Sequence, residues 1–228
     1  MSDDTTGVPI GEVRLKLRRL KQRGCNLLVT GNVREEVSRR ATRKLLGAPE
    51  VSRSRLLALT DRDREDAVSL LPDDVGVTDE RVRFVGYDCD TRTAASSVAS
   101  ESVATDASQS ACDLDGFQTA LCNAMTTAKI AQSGLEPAEF RLSLYTLSYL
   151  VNRHDETAID RFLSALGDHV RGVGGMAHYH LPVADDSKPV QRFGPLFDAR
   201  IELREKNGRP EQRWHFPDDD CSTVWFGL

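Results

Sequence analysis

The sequence predicts an α/β protein of three layers, α/β/α, built around a mainly parallel sheet and closed at the C-terminus by an antiparallel hairpin. Three observations predict it. Short apolar runs of strand length alternate with segments of helical period, the pattern of successive βαβ units. The run Asn26-Leu27-Leu28-Val29-Thr30-Gly31 passes into an amphipathic segment as strand, glycine, helix. Near the end, Asn207-Gly208 separates two strand-like runs and is a strong two-residue hairpin signal.

Taken in order, residues 1–10 read as a loose tail and 11–23 as a short basic helix. Val13, Leu17 and Leu20 form its apolar stripe, with Arg14, Arg18, Lys21 and Arg23 off it. Gly24 ends that helix. Residues 25–30 are a buried-type strand, and Asn32 is placed to cap a helix over 33–46. Val37, Ala41 and Leu45 recur at spacing four on its core face, and Gly47-Ala48-Pro49 stops it. A second strand spans 55–60, a polar stretch that opens a short helix follows, and a third strand spans 82–87. Residues 91–113 are rich in Ser, Thr and Ala and read as a long surface loop.

A helix follows over 114–132, with Phe117, Leu121 and Ala124 on one face. Residues 140–150 begin as a strand and turn helical. The segment 157–170 is an amphipathic helix with Ile159, Phe162, Leu163 and Leu166 inward, broken at Gly174-Gly175. Strand 176–181 ends at Pro182. A short helix over 190–197, a strand over 198–205, its hairpin partner over 210–216 and an edge strand over 223–226 complete the order. With no repeat visible, 1–24 is read as tail and basic helix, and 25–228 as a single domain.

Composition narrows the class. The chain has 228 residues, 39% of them hydrophobic, and a net charge of -5. That charge argues against a dedicated nucleic-acid binder. There is no apolar run of transmembrane length, and Met1-Ser2-Asp3-Asp4 has no signal-peptide character. Cys25, Cys89, Cys112, Cys122 and Cys221 make no C-x-x-C pair and no even-numbered framework, so they read as reduced thiols in a cytoplasmic protein. Arginine outnumbers lysine by roughly four to one, the usage of a GC-rich genome with a hint of salt adaptation.

The strand–glycine–helix unit carries the main functional signal. A working phosphate loop reads G-x-x-x-x-G-K-[ST], because backbone N–H groups must close on phosphate and a lysine must neutralise it. Here Gly31 and Ser38 keep the first and last positions. Glu36 stands at the second glycine and Val37 at the lysine. Glu35 and Glu36 already place negative charge at the helix N-terminus. The structural role of this turn is favoured, with Gly31 and Ser38 kept as weak cofactor-binding candidates.

The order of elements from about residue 26 to 216 resembles the RecA/KaiC-like core of P-loop ATPases. That resemblance places the run Arg141-Leu142-Ser143-Leu144-Tyr145-Thr146-Leu147 at the second ATPase motif, with Tyr145 where the metal-positioning aspartate belongs. A phenol with a pKa of about 10 is uncharged at neutral pH and a poor Mg²⁺ partner. The tail also resembles an uncharacterised haloarchaeal family with a degenerate KaiC-like core. It does so at Gly175-Met176-Ala177-His178 and Pro210-Glu211-Gln212-Arg213-Trp214-His215. Val37 and Tyr145 together imply an expected non-enzyme, without cofactor or metal, that acts through protein contacts in regulation or signalling. One alternative is a nucleotide-sensing module that binds ATP without turnover, through Gly31 and Ser38. Another is a metal-dependent enzyme.

That last alternative rests on His178 and His180, which alternate along a strand and share a side, with His215 or an aspartate completing a shell. A pair of partly exposed strand-end histidines is the favoured account. Asp61, Asp63, Glu65 and Asp66 could serve acid–base chemistry or Mg²⁺ binding, but the interleaved Arg62 and Arg64 favour local ion pairs. Asp88 and Asp90 flank Cys89 in a similar way. For partner contacts the candidates are Trp214, Trp225 and Phe226 in the closing strands, and the basic helix 11–23. That helix lacks the aromatic anchors of a membrane-bound helix.

Overall fold

The structure, a computed structural model, describes residues 10–62, 64–87, 108–111, 113–131 and 134–228. The expected tail, most of the 91–113 loop, Asp63, and the Asp88-Cys89-Asp90 cluster lie outside those residues. The chain begins with α1 (Ile10–Arg23), β1 (Cys25–Thr30), α2 (Glu35–Leu46), β2 (Ser54–Leu59) and α3 (Arg64–Ala67). It continues with β3 (Val82–Tyr87), β4 (Ser108–Ala111), α4 (Leu114–Ala131), β5 (Phe140–Tyr145), α5 (Leu147–Val151), α6 (Glu156–Gly172) and β6 (Met176–His180). Then come α7 (Lys188–Phe193), β7 (Ala199–Lys206), β8 (Arg209–Phe216), β9 (Cys221–Ser222) and β10 (Phe226–Gly227).

One ten-stranded sheet runs in the order β10-β8-β7-β1-β6-β5-β2-β3-β4, with β9 on β8. The pairs from β7 through β1, β6, β5, β2 and β3 to β4 are parallel. The additions of β8, β9 and β10 are antiparallel. Central strands β1, β2, β5 and β6 are buried at every position, as a sheet covered by helices on both faces requires.

Alternation along the strands separates two cores. Leu28, Ala58, Leu142, Leu144 and Tyr179 point to one face and pack under α4, α5, α6 and α7. On the other face, Leu27, Val29, Ile201 and Trp214 pack with Val13, Leu20, Val37 and Ala41 of α1 and α2. A satellite around Leu57, Leu59, Phe84 and Tyr145 takes Leu46 and Ala67 from α2 and α3. The expected stripes of α1, α2, α4 and α6 are therefore the buried ones.

Local signals act where expected. Gly24 and Gly47 end α1 and α2 at φ of +75° and +89°. Asp155 caps α6 through the Ala158 N–H at 2.9 Å. Asn207 and Gly208 take φ of +52° and +73°, the twist that matches a hairpin.

Three expectations change. Asn32 does not cap α2: the cap position is Arg34, without a side-chain cap bond, and the helix starts at Glu35. Within the expected loop, residues 108–111 form β4, which pairs in parallel with β3 from Phe84↔Ser108 to Tyr87↔Ala111. An edge strand held by backbone bonds needs no apolar alternation, so Ser-Gln-Ser-Ala gave no signal. The closing edge over 223–226 is two short bridges, β9 and β10, with Thr223 between them bonded to Trp214.

Candidate functional site

β1 feeds α2 on one face of the sheet, and its neighbour β6 feeds α7 on the other. The chain therefore diverges above the carboxyl ends of these two strands, where α/β folds form ligand crevices. Gly31 sits at that point with φ of +117°, and its N–H donates to Val183 O at 2.8 Å. A Cβ added there would stand 2.2 Å from the Leu203 carbonyl oxygen. The glycine is thus demanded by the close passage of β7. Four residues, 31–34, link strand to helix.

The helix start carries its own charges. Arg34 Nε donates to Glu205 Oε1 of β7 at 2.9 Å. Glu35 Oε1 accepts from Arg39 Nη2 at 2.8 Å and pairs with Arg62 Nη2 at 2.6 Å. Glu36 is exposed, while Val37 is buried in the α1/α2 core and Ser38 is buried beneath the first turn.

Below that turn lie Tyr145, His178 and His180. Tyr145 ends β5, is buried, and has its ring centroid 4.9 Å from that of His180. The Arg62 guanidinium lies 5.5 Å from the Tyr145 ring centroid. His180 Nε2 shares a 2.8 Å hydrogen bond with Thr42 Oγ1 of α2. The His178 ring is 5.6 Å from His180, and its Nε2 has no partner among the described residues. Burial pushes both imidazoles down, His180 to about 3 and His178 well below its ordinary value, with the charges of His180 and then Arg141 adding for His178. Burial and then the Glu35 charge push the Tyr145 phenol up. At neutral pH these three groups are uncharged. Beside them, Thr60 Oγ1 donates to Thr146 O at 2.7 Å and accepts the Thr146 N–H at 2.9 Å, fixing the turn from β5 into α5.

The expectation of partly exposed histidines fails, since His178 and His180 are each 1% exposed. The three-histidine metal shell fails with it. His178 is in register with Leu27 and faces the α1/α2 side. His215 is in register with Arg200, which pairs with Leu28 and faces the opposite side, with strands β7 and β1 between it and His178. No single ion can reach both.

His215 instead meets Asp185 and Glu202, whose ligand atoms lie within 4.8 Å of one another. His215 Nε2 is 3.0 Å from Glu202 Oε2 and Nδ1 is 2.7 Å from Ser222 Oγ. Arg213 pairs with Glu202 at 2.7 Å and Arg200 with Asp185 at 2.8 Å, while Thr30 Oγ1 donates to Asp185 at 2.6 Å. Burial pushes the Glu202 carboxyl up, but the hydrogen bonds and charges of His215 and Arg213 outweigh it and hold it below its ordinary value. Two carboxylates are thus matched by two arginines, a balanced network in which a cation would have to displace a guanidinium. Alternation of Arg200 and Glu202 opposite Arg213 and His215 was the sequence signal for half of this cluster. Asp185, delivered by the loop after β6, had none.

The contact candidates divide. Trp214 is 6% exposed and belongs to the α1/α2 core, so it is no surface anchor. Trp225 stays half-buried between Arg204 at 3.8 Å and Arg213 at 4.7 Å, and Phe226 packs against the core edge. Part of the basic helix is spent within the protein, with Lys16 paired to Asp219 and Arg23 to Asp198. No helix among the described residues is long and apolar enough to cross a membrane.

Residues 24–203 match the model of DUF7504, a family of unknown function, and the chain belongs to that family. No curated protein matches. Among solved structures, the chain is similar to a KaiC-like protein from the hyperthermophilic archaeon Pyrococcus horikoshii OT3. The TM-score is 0.55 at 12% identity, covering 86% of this chain and 80% of that one. The architecture is therefore that of a KaiC/RecA-like α/β protein.

Proposed function

We propose that this member of the family is a non-catalytic KaiC-like domain of the cytoplasm that acts through protein contacts in regulation or signalling. One observation carries the reading. The helix start above the crevice holds its own carboxylate, Glu35, between Arg39 and Arg62, while Val37 is packed into the core where a phosphate-binding lysine would have to reach out. Phosphoryl transfer works almost wholly by positioning and by neutralising phosphate charge. Glu35 engages the guanidiniums of Arg39 and Arg62, the exposed Glu36 adds negative charge at the same turn, and the buried Tyr145 phenol offers no anionic Mg²⁺ partner. The half-exposed closing strands, with Trp225 held between two arginines, are the preferred contact surface. The haloarchaeal affiliation rests on the tail segments around His178 and Trp214 and belongs to this proposal.

The test is ATP hydrolysis together with nucleotide calorimetry. The expected result is no Mg²⁺-dependent turnover above a protein-free blank. Turnover that disappears in Ser38→Ala would overturn the proposal. Tight Mg²⁺-dependent ATP binding without turnover would replace it with the nucleotide-sensor reading.

A further inference from the structure

At the opposite end of the sheet from Gly31, a cleft of about 390 Å³ opens between α1, the end of α2 and the first residues of β5 and β6. Four cations line it: Lys21, Lys44, Arg53 and Arg141. No Asp or Glu side chain does, and although Leu228 with its α-carboxylate also lines the cleft, none of the four cations forms an ion pair among the described residues. Arg141 is the unusual member. It is 3% exposed, yet among the described residues its Nε has no hydrogen-bond partner, while its Nη1 donates to the thioether of Met176. Among the described residues Arg53 likewise has no partner at Nε, while its Nη1 donates to Ala138 O at 2.7 Å.

A guanidinium buried without an anion is costly, because water is lost and nothing replaces it. Its neighbour Arg55 shows the ordinary solution. Arg55 is equally buried and donates to the carbonyls of Leu46, Gly47 and Ala48 at the end of α2. Those carbonyls are thereby occupied, and Arg141 in the next strand, in register with Arg55, is left facing the cleft. Burial pushes the Arg141 guanidinium down to about 10, and the charge of Arg53 adds to it. Burial, then the charges of Arg141 and Arg53, push the Lys21 amine down. Glu139 acts on Arg53 from outside the lining.

The remaining wall is mostly apolar, with Leu17, Ile201, Trp214 and Phe226 and one amide, Gln212. An apolar wall with convergent cations, at a volume typical of small-molecule sites, defines the chemistry of an occupant. We propose that this cleft binds a small amphiphilic anion, a carboxylate or phosphate head received by Arg141, Arg53, Lys21 and Lys44, with an apolar body lying on Trp214 and Phe226. The site stands apart from the Gly31 crevice and does not depend on how that crevice is read.

Calorimetry with three probes tests it: octyl phosphate, 1-octanol and inorganic phosphate. Octyl phosphate is expected to bind about tenfold or more tightly than either of the others, because only it satisfies both walls. Arg141→Met, which keeps length and removes charge, is expected to weaken octyl phosphate by about tenfold or more, while the ligand-free variant melts no lower than the parent. Lys44→Gln, at the exposed rim, is expected to weaken binding about two- to fivefold, as a partly solvated charge contact would. Binding no tighter than that of octanol would overturn the proposal, and so would binding as tight for inorganic phosphate alone. Unchanged affinity in both variants would overturn it as well.

Discussion

Replacing Gly31 with alanine separates the two accounts of that residue. The close passage of β7 makes it a structural glycine; a phosphate cradle would make it a ligand-contacting one. Two costs follow from the geometry. A φ of +117° is foreign to an L-residue, at about 1–2 kcal/mol. The new Cβ would sit 2.2 Å from the Leu203 carbonyl oxygen and 3.0 Å from its carbonyl carbon, backbone atoms that cannot swing aside. Shifting β7 against β1 is an overpacking cost of about 1–3 kcal/mol. The sum, roughly 2–5 kcal/mol, corresponds to a fall in melting temperature of roughly 5–15 °C for a chain of this size. Urea unfolding followed by tryptophan fluorescence is the suitable assay, because Trp214 lies on β8 in register with Ile201 of the displaced strand. A midpoint equivalent to less than about 1 kcal/mol of destabilisation would refute the close-passage argument. So would a variant of parental stability whose only change is in nucleotide affinity.

Two further outcomes follow from the same crevice. His178 and His180 are held neutral by burial, so the unfolded chain binds more protons between its ordinary histidine value of 6.5 and the folded value of about 3 for His180. Stability is then full above about pH 6.5 and falls as the pH drops toward the folded value, by up to about 1.4 kcal/mol per pH unit for each histidine. Urea midpoints from pH 7 to 5 should be steeper for the parent than for His180→Leu, and equal slopes would count against burial as the cause. Restoring the loop by Glu36→Gly with Val37→Lys should not create an ATPase. It should instead cost roughly 3–5 kcal/mol, because the lysine enters the apolar α1/α2 core without a partner. Parental stability in that double variant, read by urea midpoint, would show that position 37 can turn outward to the crevice.

Much of the fold was legible because the signals are local. The i, i+4 spacing of Val37, Ala41 and Leu45 depends only on helical pitch, and the Asn207-Gly208 turn depends only on two residues tolerating positive φ. The crevice was half legible: Glu36 and Val37 could be placed from the phosphate-loop frame, and they occupy the helix start. The Glu35 clamp was not, since Arg62 reaches it from the end of a different strand.

What the chain order alone determined was where strands and helices form and which residues of each share a face, since neighbours along the backbone fix those periods. Only the packed sheet decided which face meets which helix. It turned His178 and His215 to opposite sides, drew Asp185 onto Glu202 and His215 from a separate loop, and gave β4 a parallel partner in β3. It also left Arg141 buried without an anion while Arg55 beside it found three carbonyls. Such pairings join residues far apart in the chain. Their energies depend on strand order and burial, quantities that exist only after the layers have closed.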